Sequence, residues 1–503
     1  CSRGHVVERC AMFTIFLIVL LLCLSWWCFS RKTPGMPPGP TGLPIVGYLP
    51  FINPARPELT FIELSKKYGN IITVRMGKYD CVVVDDFDLL RKLFSLSEST
   101  GRPNIPAFKI FSNNPNRPEG VVSTDGHVWQ ELRRFSMRHL KDLGVKSNTL
   151  NDVIMIEVDQ FLHQLHLQTG KPLDFASELQ VSVFNIIWNM LTGKRAASED
   201  PDFIHIMNSV NKNVEALLPA IFLSLLSDTL YNLVPGCFYD YKRMKQVANW
   251  FRDYALNMYR EIQTTYDPKQ MRHMIDYFTA EMKREEKGED NLYTEDELVG
   301  VLGDLMVAGA ETSATTIKFA TLYLIHYPTI QERLYMDIER EIGTERRINM
   351  EDKIKLPYLE AFILEVQRVA NIVPLAIFHR LTGTVNLHTY TIPKDTLIIP
   401  NLEAIHNDPK YWEDPHVFNP DRFIDENGCA VPNREGFAAF SLGKRRCIGE
   451  VLARAELFLF LGNMIQEFSI EAPPGKKPPP IERIPGMVIH PGPFQCVFRS
   501  RVE

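Results

Sequence analysis

The chain has no CxxC pair, no Asn-x-Ser/Thr sequon, no GxGxxG loop and no internal repeat. It has no excess of positive charge either, and each absence excludes something. Nine cysteines scattered singly through 503 residues suit neither a zinc ribbon nor a disulfide framework. With the sequon also missing, they favour a reducing compartment for the body of the chain. Without GxGxxG, no nicotinamide dinucleotide is bound through that loop. Lys plus Arg number 55 against 61 Asp plus Glu, a net charge of −6, which excludes a nucleic-acid binder working through overall charge. At 45% hydrophobic and 23% charged residues, the composition is globular rather than disordered or fibrous.

One long apolar run is present. Residues 11–29, AMFTIFLIVLLLCLSWWCF, carry no charge, and as a helix they would span about 28 Å, close to a bilayer's hydrocarbon thickness. Trp26 and Trp27 suit an interfacial belt, and Arg31 and Lys32 follow at once. No small-x-small cleavage site precedes the basic pair, so residues 1–32 read as a single membrane anchor, with Met12 a natural start. The positive-inside rule puts the following domain on the cytosolic side. Residues 33–47 form a proline-rich hinge, stiff and non-helical. No boundary interrupts residues 48–503. Helical periodicity dominates there, with two strands over 71–86, a second β-rich patch over 385–401 and a charged loop at 283–291.

Four groups of residues carry chemistry. In FSLGKRRCIG, Phe440, Gly443 and Arg445 lead to Cys447 and Gly449, just before the apolar helix EVLARAELFLFLGNMI. Free N–H groups and the helix dipole predict a lowered thiol pKa, and the glycines predict close approach of the backbone to a flat ligand. A helix capped by Thr294 and Glu297 runs to Tyr327. At its middle lies Ala308-Gly309-Ala310-Glu311-Thr312. These small residues make either a bed for a plate-shaped group or a helix-packing seam, and Thr312 can bond the carbonyl four residues back. Glu365 and Arg368 share a helix face, and Arg422 follows in FNPDRF. Finally come Trp129 and Arg133 in HVWQELRR, Arg102 in TGRP and His379 in IFHR, each by itself an ordinary polar position.

Together and in this order, these motifs resemble the cytochrome P450 family, the haem-thiolate monooxygenases, and most of all its animal microsomal drug- and steroid-metabolising type. The resemblance implies a mainly α fold with small β-sheets, one large domain behind an N-terminal transmembrane helix. It implies haem b with Cys447 as axial thiolate ligand. Arg445, Trp129, Arg133, His379 and Arg102 would contact its propionates, and Phe440, Gly443, Gly449 and Ala308 would frame it. Glu311 and Thr312 correspond to the acid–alcohol pair of oxygen activation. Arg422 corresponds to the residue that locks Glu365 and Arg368, although Asp421 stands where Glu is commoner.

The implied reaction inserts one atom of dioxygen into a lipophilic small molecule, by hydroxylation or epoxidation. Electrons would come from NADPH through a separate reductase, with a small haem cytochrome as a second candidate donor. Lys444, Arg446, Arg134, Arg138 and Lys141 would give that reductase a basic docking face. The implied location is the endoplasmic reticulum membrane. Phe108, Phe111, Phe222, Val373, Leu375 and Val488 map to the family's substrate pocket and are all apolar. Steroid or terpenoid hormone, fatty acid and xenobiotic all fit such a lining. Two alternatives remain: a haem-thiolate peroxide isomerase or dehydratase, which typically lacks the acid–alcohol pair, and a non-enzymatic haem carrier or sensor.

Overall fold

The computed structural model describes residues 33–110, 112–114, 117–144, 149–196, 200–226, 241–285 and 292–501, together with Thr14 and Leu20. The first half of these residues holds α1 (Pro57–Tyr68), β1 (Ile71–Met76), β2 (Tyr79–Val84), α2 (Phe87–Ser95), α3 (Gly126–Gly144), α4 (Thr149–Leu167), β3 (Pro172–Leu173), α5 (Ala176–Thr192), α6 (Pro201–Ser224), α7 (Tyr241–Gln263) and α8 (Met274–Glu285). The second half holds α9 (Glu295–His326), α10 (Pro328–Glu341), α11 (Pro357–Ala370), β4 (His379–Arg380), β5 (Val385–Leu387), β6 (Tyr390–Ile392), β7 (Leu397–Pro400), α12 (Leu402–His406), α13 (Glu450–Glu467), β8 (Phe468–Glu471) and β9 (Cys496–Ser500). This is a mainly helical architecture with small sheets.

Helix α9, 32 residues long, is its axis. Thr294 caps it by accepting the Glu297 N–H at 3.2 Å, and three acids in the first turn suit the helix dipole. Glu297 does not complete the expected capping box. Its carboxylate instead accepts the Gly120 N–H at 2.9 Å and pairs with Arg117. The C-terminal half of α9 is buried against α4, α5, α11 and α13 in the largest apolar cluster. Its N-terminal half packs with α3, α5, α7 and α8. Apolar residues nearly all round α9 and α13 explain why both lie inside the molecule.

The β-rich stretches form strands, but their partners are non-local. β1 and β2 are antiparallel across a turn at Gly77-Lys78. A Cβ at Gly77 would come within 2.2 Å of the Leu225 carbonyl, which also accepts the Lys78 N–H, so this turn receives the end of α6. β7 enters parallel to β2, and β4 closes the sheet in the order β1-β2-β7-β4. β3-β9-β8 and β5-β6 form two smaller sheets. The proline-rich stretch is laid along β1: Thr73 donates to the Pro38 carbonyl at 2.8 Å, and Tyr48 to the Arg75 carbonyl at 2.7 Å.

Apart from Thr14 and Leu20, both helical, the expected anchor lies outside the described residues, as do 286–291 of the charged loop. Among the described residues, no helix is long and apolar enough to cross a membrane.

Candidate active site

The cysteine loop is closed by the Cys447 N–H donating to the Phe440 carbonyl at 3.0 Å, around a turn from Gly443 to Arg445. Gly443 has φ +69°, and a Cβ there would lie 2.1 Å from the Phe94 carbonyl. Its close approach is therefore to the end of α2. Gly449, the N-cap of α13, is different: a Cβ there would meet only the Cys447 sulfur, at 3.9 Å. Cys447 is exposed to solvent, yet the protein packed around it desolvates the thiol. Burial pushes this thiol up rather than down. It outweighs the Gly449 N–H, while Glu450 adds to the rise and Arg133 and Arg446 oppose it. The helix terminus alone therefore does not make the thiolate; a bound metal cation would, by coordinating it.

In α9 the small residues divide between the two readings. Gly309 is a packing seam, since a Cβ there would sit 3.2 Å from Ile187 of α5. Ala308 is exposed at the centre of an otherwise buried helix, and Thr312, one turn on, is half-buried. The Thr312 hydroxyl donates to the Ala308 carbonyl at 2.9 Å. Glu311 is buried beside it and opposes the downward push that burial exerts on Lys318.

Three arginines and a histidine from four chain segments converge near the cysteine. Arg445 is buried, stacks 3.9 Å from the centre of the Trp129 ring, and donates to the carbonyls of Thr100, Val121 and Thr124. Arg102, also buried, donates to the carbonyls of Val122, Ile377 and Phe378. Arg133 donates to the Arg446 carbonyl at 2.6 Å, joining α3 to the cysteine loop. His379 is buried, stacks on Phe94 at 4.0 Å, and its Nδ1 lies 2.7 Å from the Ser99 carbonyl. Burial and then Arg102 push Arg445 down to about 7. Burial and then Arg133 push Arg102 to about 9. Burial, followed by Arg102, also holds His379 well below the usual imidazole range. Guanidinium gives up its proton very reluctantly, so these shifts mark buried cations that repel one another. Such a bed fits a dianionic group, as the two propionates of haem are, and the Cys447 thiol adjoins it.

The Glu365–Arg368 pair is fully buried, with bonds of 2.7 and 2.8 Å. Arg422 approaches Glu365 at 3.4 Å and donates to the carbonyls of Asp414 and Val417. Asp421 points elsewhere, to an exposed pair with Arg333 at 2.9 Å, so its shorter side chain leaves the buried cluster untouched.

Of the expected pocket residues, Leu375, Phe108 and Phe222 belong to one apolar cluster, while Val488 and Val373 join the cluster around the N-terminal half of α9. Phe111 lies outside the described residues. A small, partly open hollow is lined by Val373, Leu375, Leu218 and Met487, and also by Ala55, Pro57 and Glu58. The last three, hundreds of residues away in sequence, carried no signal. Asp304 was also missed. It lies four residues before Ala308 and eight before Thr312, on the same helix face, a spacing that could have revealed it. Its carboxylate accepts the N–H groups of Val121 and Val122, both at 2.7 Å, and burial pushes it up to about 7.

The profile of the family described as cytochrome P450 matches residues 37–498. Cytochrome P450 2K4 of Oncorhynchus mykiss is 35% identical over 498 residues, 97% of this chain and 96% of the relative. Cytochrome P450 2F3 of Capra hircus is 32% identical over 97% of this chain and 98% of its own length. Cytochrome P450 18a1 of Drosophila melanogaster is 31% identical over 98% and 92%. Likeness of this extent, spanning every element described, makes the chain an oxidoreductase of the monooxygenase class. It belongs to the cytochrome P450 family, with full-length likeness to family-2 members from animals.

Proposed function

We propose that this chain binds haem b through Cys447 and inserts one oxygen atom from dioxygen into a lipophilic small molecule, taking electrons from NADPH through a separate reductase. The observation that carries this is the cation bed beside Cys447 made by buried Arg102 and Arg445 with half-buried Arg133, whose side-chain hydrogen bonds run to main-chain carbonyls. Those arginines, with Trp129 and His379, would hold the propionates, while Gly449 and Ala308 leave room for the plane of the ring. Haem, when bound, supplies the dioxygen binding and oxygen-transfer chemistry.

The chain's own residues do the rest. Thr312 keeps its hydroxyl proton on the Ala308 carbonyl, which leaves the oxygen lone pairs free to accept a proton donor in the groove. Glu311 is the adjacent acid. Phe108, Phe222, Leu375, Val373 and Val488 offer apolar walls that orient a lipophilic substrate and exclude water. The retained acid and alcohol favour monooxygenation over peroxide isomerisation or haem carriage. Arg134, Arg138, Lys141, Lys444 and Arg446 are exposed on the face where α3 meets the cysteine loop, suited to an acidic reductase. Residues 11–29 would anchor the chain in the endoplasmic reticulum membrane.

The test is Cys447→His. Haem should still be taken up, and the long-wavelength Soret band of a thiolate-bound ferrous carbonyl should vanish. A variant that keeps the band removes Cys447 as the ligand.

A further inference from the structure

One buried polar contact joins the two helices that bear the site. Ser313 of α9 donates its hydroxyl to Glu456 of α13 at 2.5 Å, with the two residues only 3% and 2% exposed. Buried apolar residues flank them along both helices, Ala314 and Ile317 on one and Ala455 and Leu457 on the other, with buried Thr316 one turn beyond Ser313. Ser313 follows Thr312 directly. Glu456 stands seven residues, about two turns, beyond Gly449, the residue that opens α13 after the Cys447 loop.

A polar pair in such a place costs free energy to desolvate, and two apolar side chains of similar size would hold the helices together as well or better. What the pair adds is direction. Apolar ridges in grooves tolerate small slides, whereas a directional hydrogen bond fixes the register of one helix on the other. We propose that Glu456 is a positioning residue for oxygen activation: its bond to Ser313 sets where the Thr312 hydroxyl stands relative to the Cys447 loop. This rests on the role given to Thr312. Burial holds the Glu456 carboxyl at about 8, and the Ser313 hydroxyl is the one other group acting on it, so the acid is mostly neutral at physiological pH. Above that value it ionises among apolar side chains, and the contact must loosen or admit water.

The experiment is product formed per NADPH consumed in the reductase-supported holoenzyme, with haem content and the ferrous-carbonyl spectrum as controls. Ser313→Ala should lower this coupling by about threefold to tenfold, with haem content and spectrum unchanged. Glu456→Leu should do the same. Glu456→Gln, which can still bond Ser313 and carries no charge, should stay near the wild-type value. Wild-type coupling should also fall above about pH 8, and the Gln variant should lack that fall.

Wild-type coupling in Ser313→Ala overturns the proposal, as does a Gln variant as poorly coupled as the Leu variant. Thr312→Ala in parallel separates the two levels. If it uncouples while Ser313→Ala does not, only the positioning role fails. Full coupling in Thr312→Ala removes the role of Thr312 and the positioning role with it.

Discussion

Two regions of this molecule bury arginine, and they treat it in opposite ways. Behind the site, Arg368 is wholly enclosed and meets a carboxylate of its own chain, Glu365, through two hydrogen bonds, with carbonyls of His406 and Pro415 taking up another donor. Around the cysteine loop, Arg445 and Arg102 spend their side-chain donors on carbonyls, and repel each other and Arg133. A neutral carbonyl satisfies a donor without neutralising the charge. In the first region a buried carboxylate bonds the guanidinium directly; in the second, Asp125 and Asp304 act on the guanidiniums through charge alone, and the side-chain donors end on carbonyls. Same residue type, same depth, different task.

The contrast breaks first at Glu365. Glu365→Ala strands Arg368, and Arg422 with it, as an uncompensated buried charge, at a cost of about 3–5 kcal/mol. Little folded protein should be recovered, with or without added haem; normal yield and circular dichroism would show that the cluster is dispensable.

Next is Arg445→Leu, which removes one of the mutually repelling cations. Here the fold should survive, with unchanged circular dichroism, while haem is lost to a scavenger protein about thirtyfold or more faster, equivalent to about 2 kcal/mol or more. Unfolding instead of haem loss would make this region structural, like the other.

The smallest effect is a pH dependence in the first region. His406 accepts the Ala438 N–H on Nε2 at 3.0 Å, and burial followed by Arg368 pushes its imidazole down to about 3. The unfolded chain takes up this proton near the ordinary histidine value, and the folded chain does so only near 3. Stability contributed by the neutral ring is therefore present above about pH 6.5 and lost as pH falls below it. Between pH 7 and pH 5.5 the loss should be about 1 kcal/mol, read from denaturant midpoints. His406→Gln should flatten that part of the profile; an unchanged slope would assign it to other groups.

Both clusters were legible as motifs, but not their chemistry. Glu365 and Arg368 share a face by i,i+3 spacing, whereas their burial depends on Trp412, Phe418 and the carbonyls of distant loops. The Cys447 turn was read as an activating helix terminus, and the structure shows burial outweighing it. Gly443 was read as clearance for a ligand and instead clears Phe94. Ala308 and Gly309, adjacent in sequence and about 100° apart around α9, face different surroundings, one open and one packed on Ile187.

What the sequence determined by itself was local: helical and strand periods, the cap at Thr294, the glycine-flanked cysteine, and the spacing of each motif. Those follow from short-range geometry, which neighbouring residues fully specify. Tertiary structure alone decided that β7 runs parallel to β2, that Glu58 lines a hollow with Met487, and that Ser313 meets Glu456. It also brought together Arg102, Arg133, His379 and Arg445, and so decided which buried guanidiniums bond a carboxylate and which end on carbonyls. Desolvation and charge–charge energy depend on distance through space and on the surrounding medium, and neither is encoded in separation along the chain.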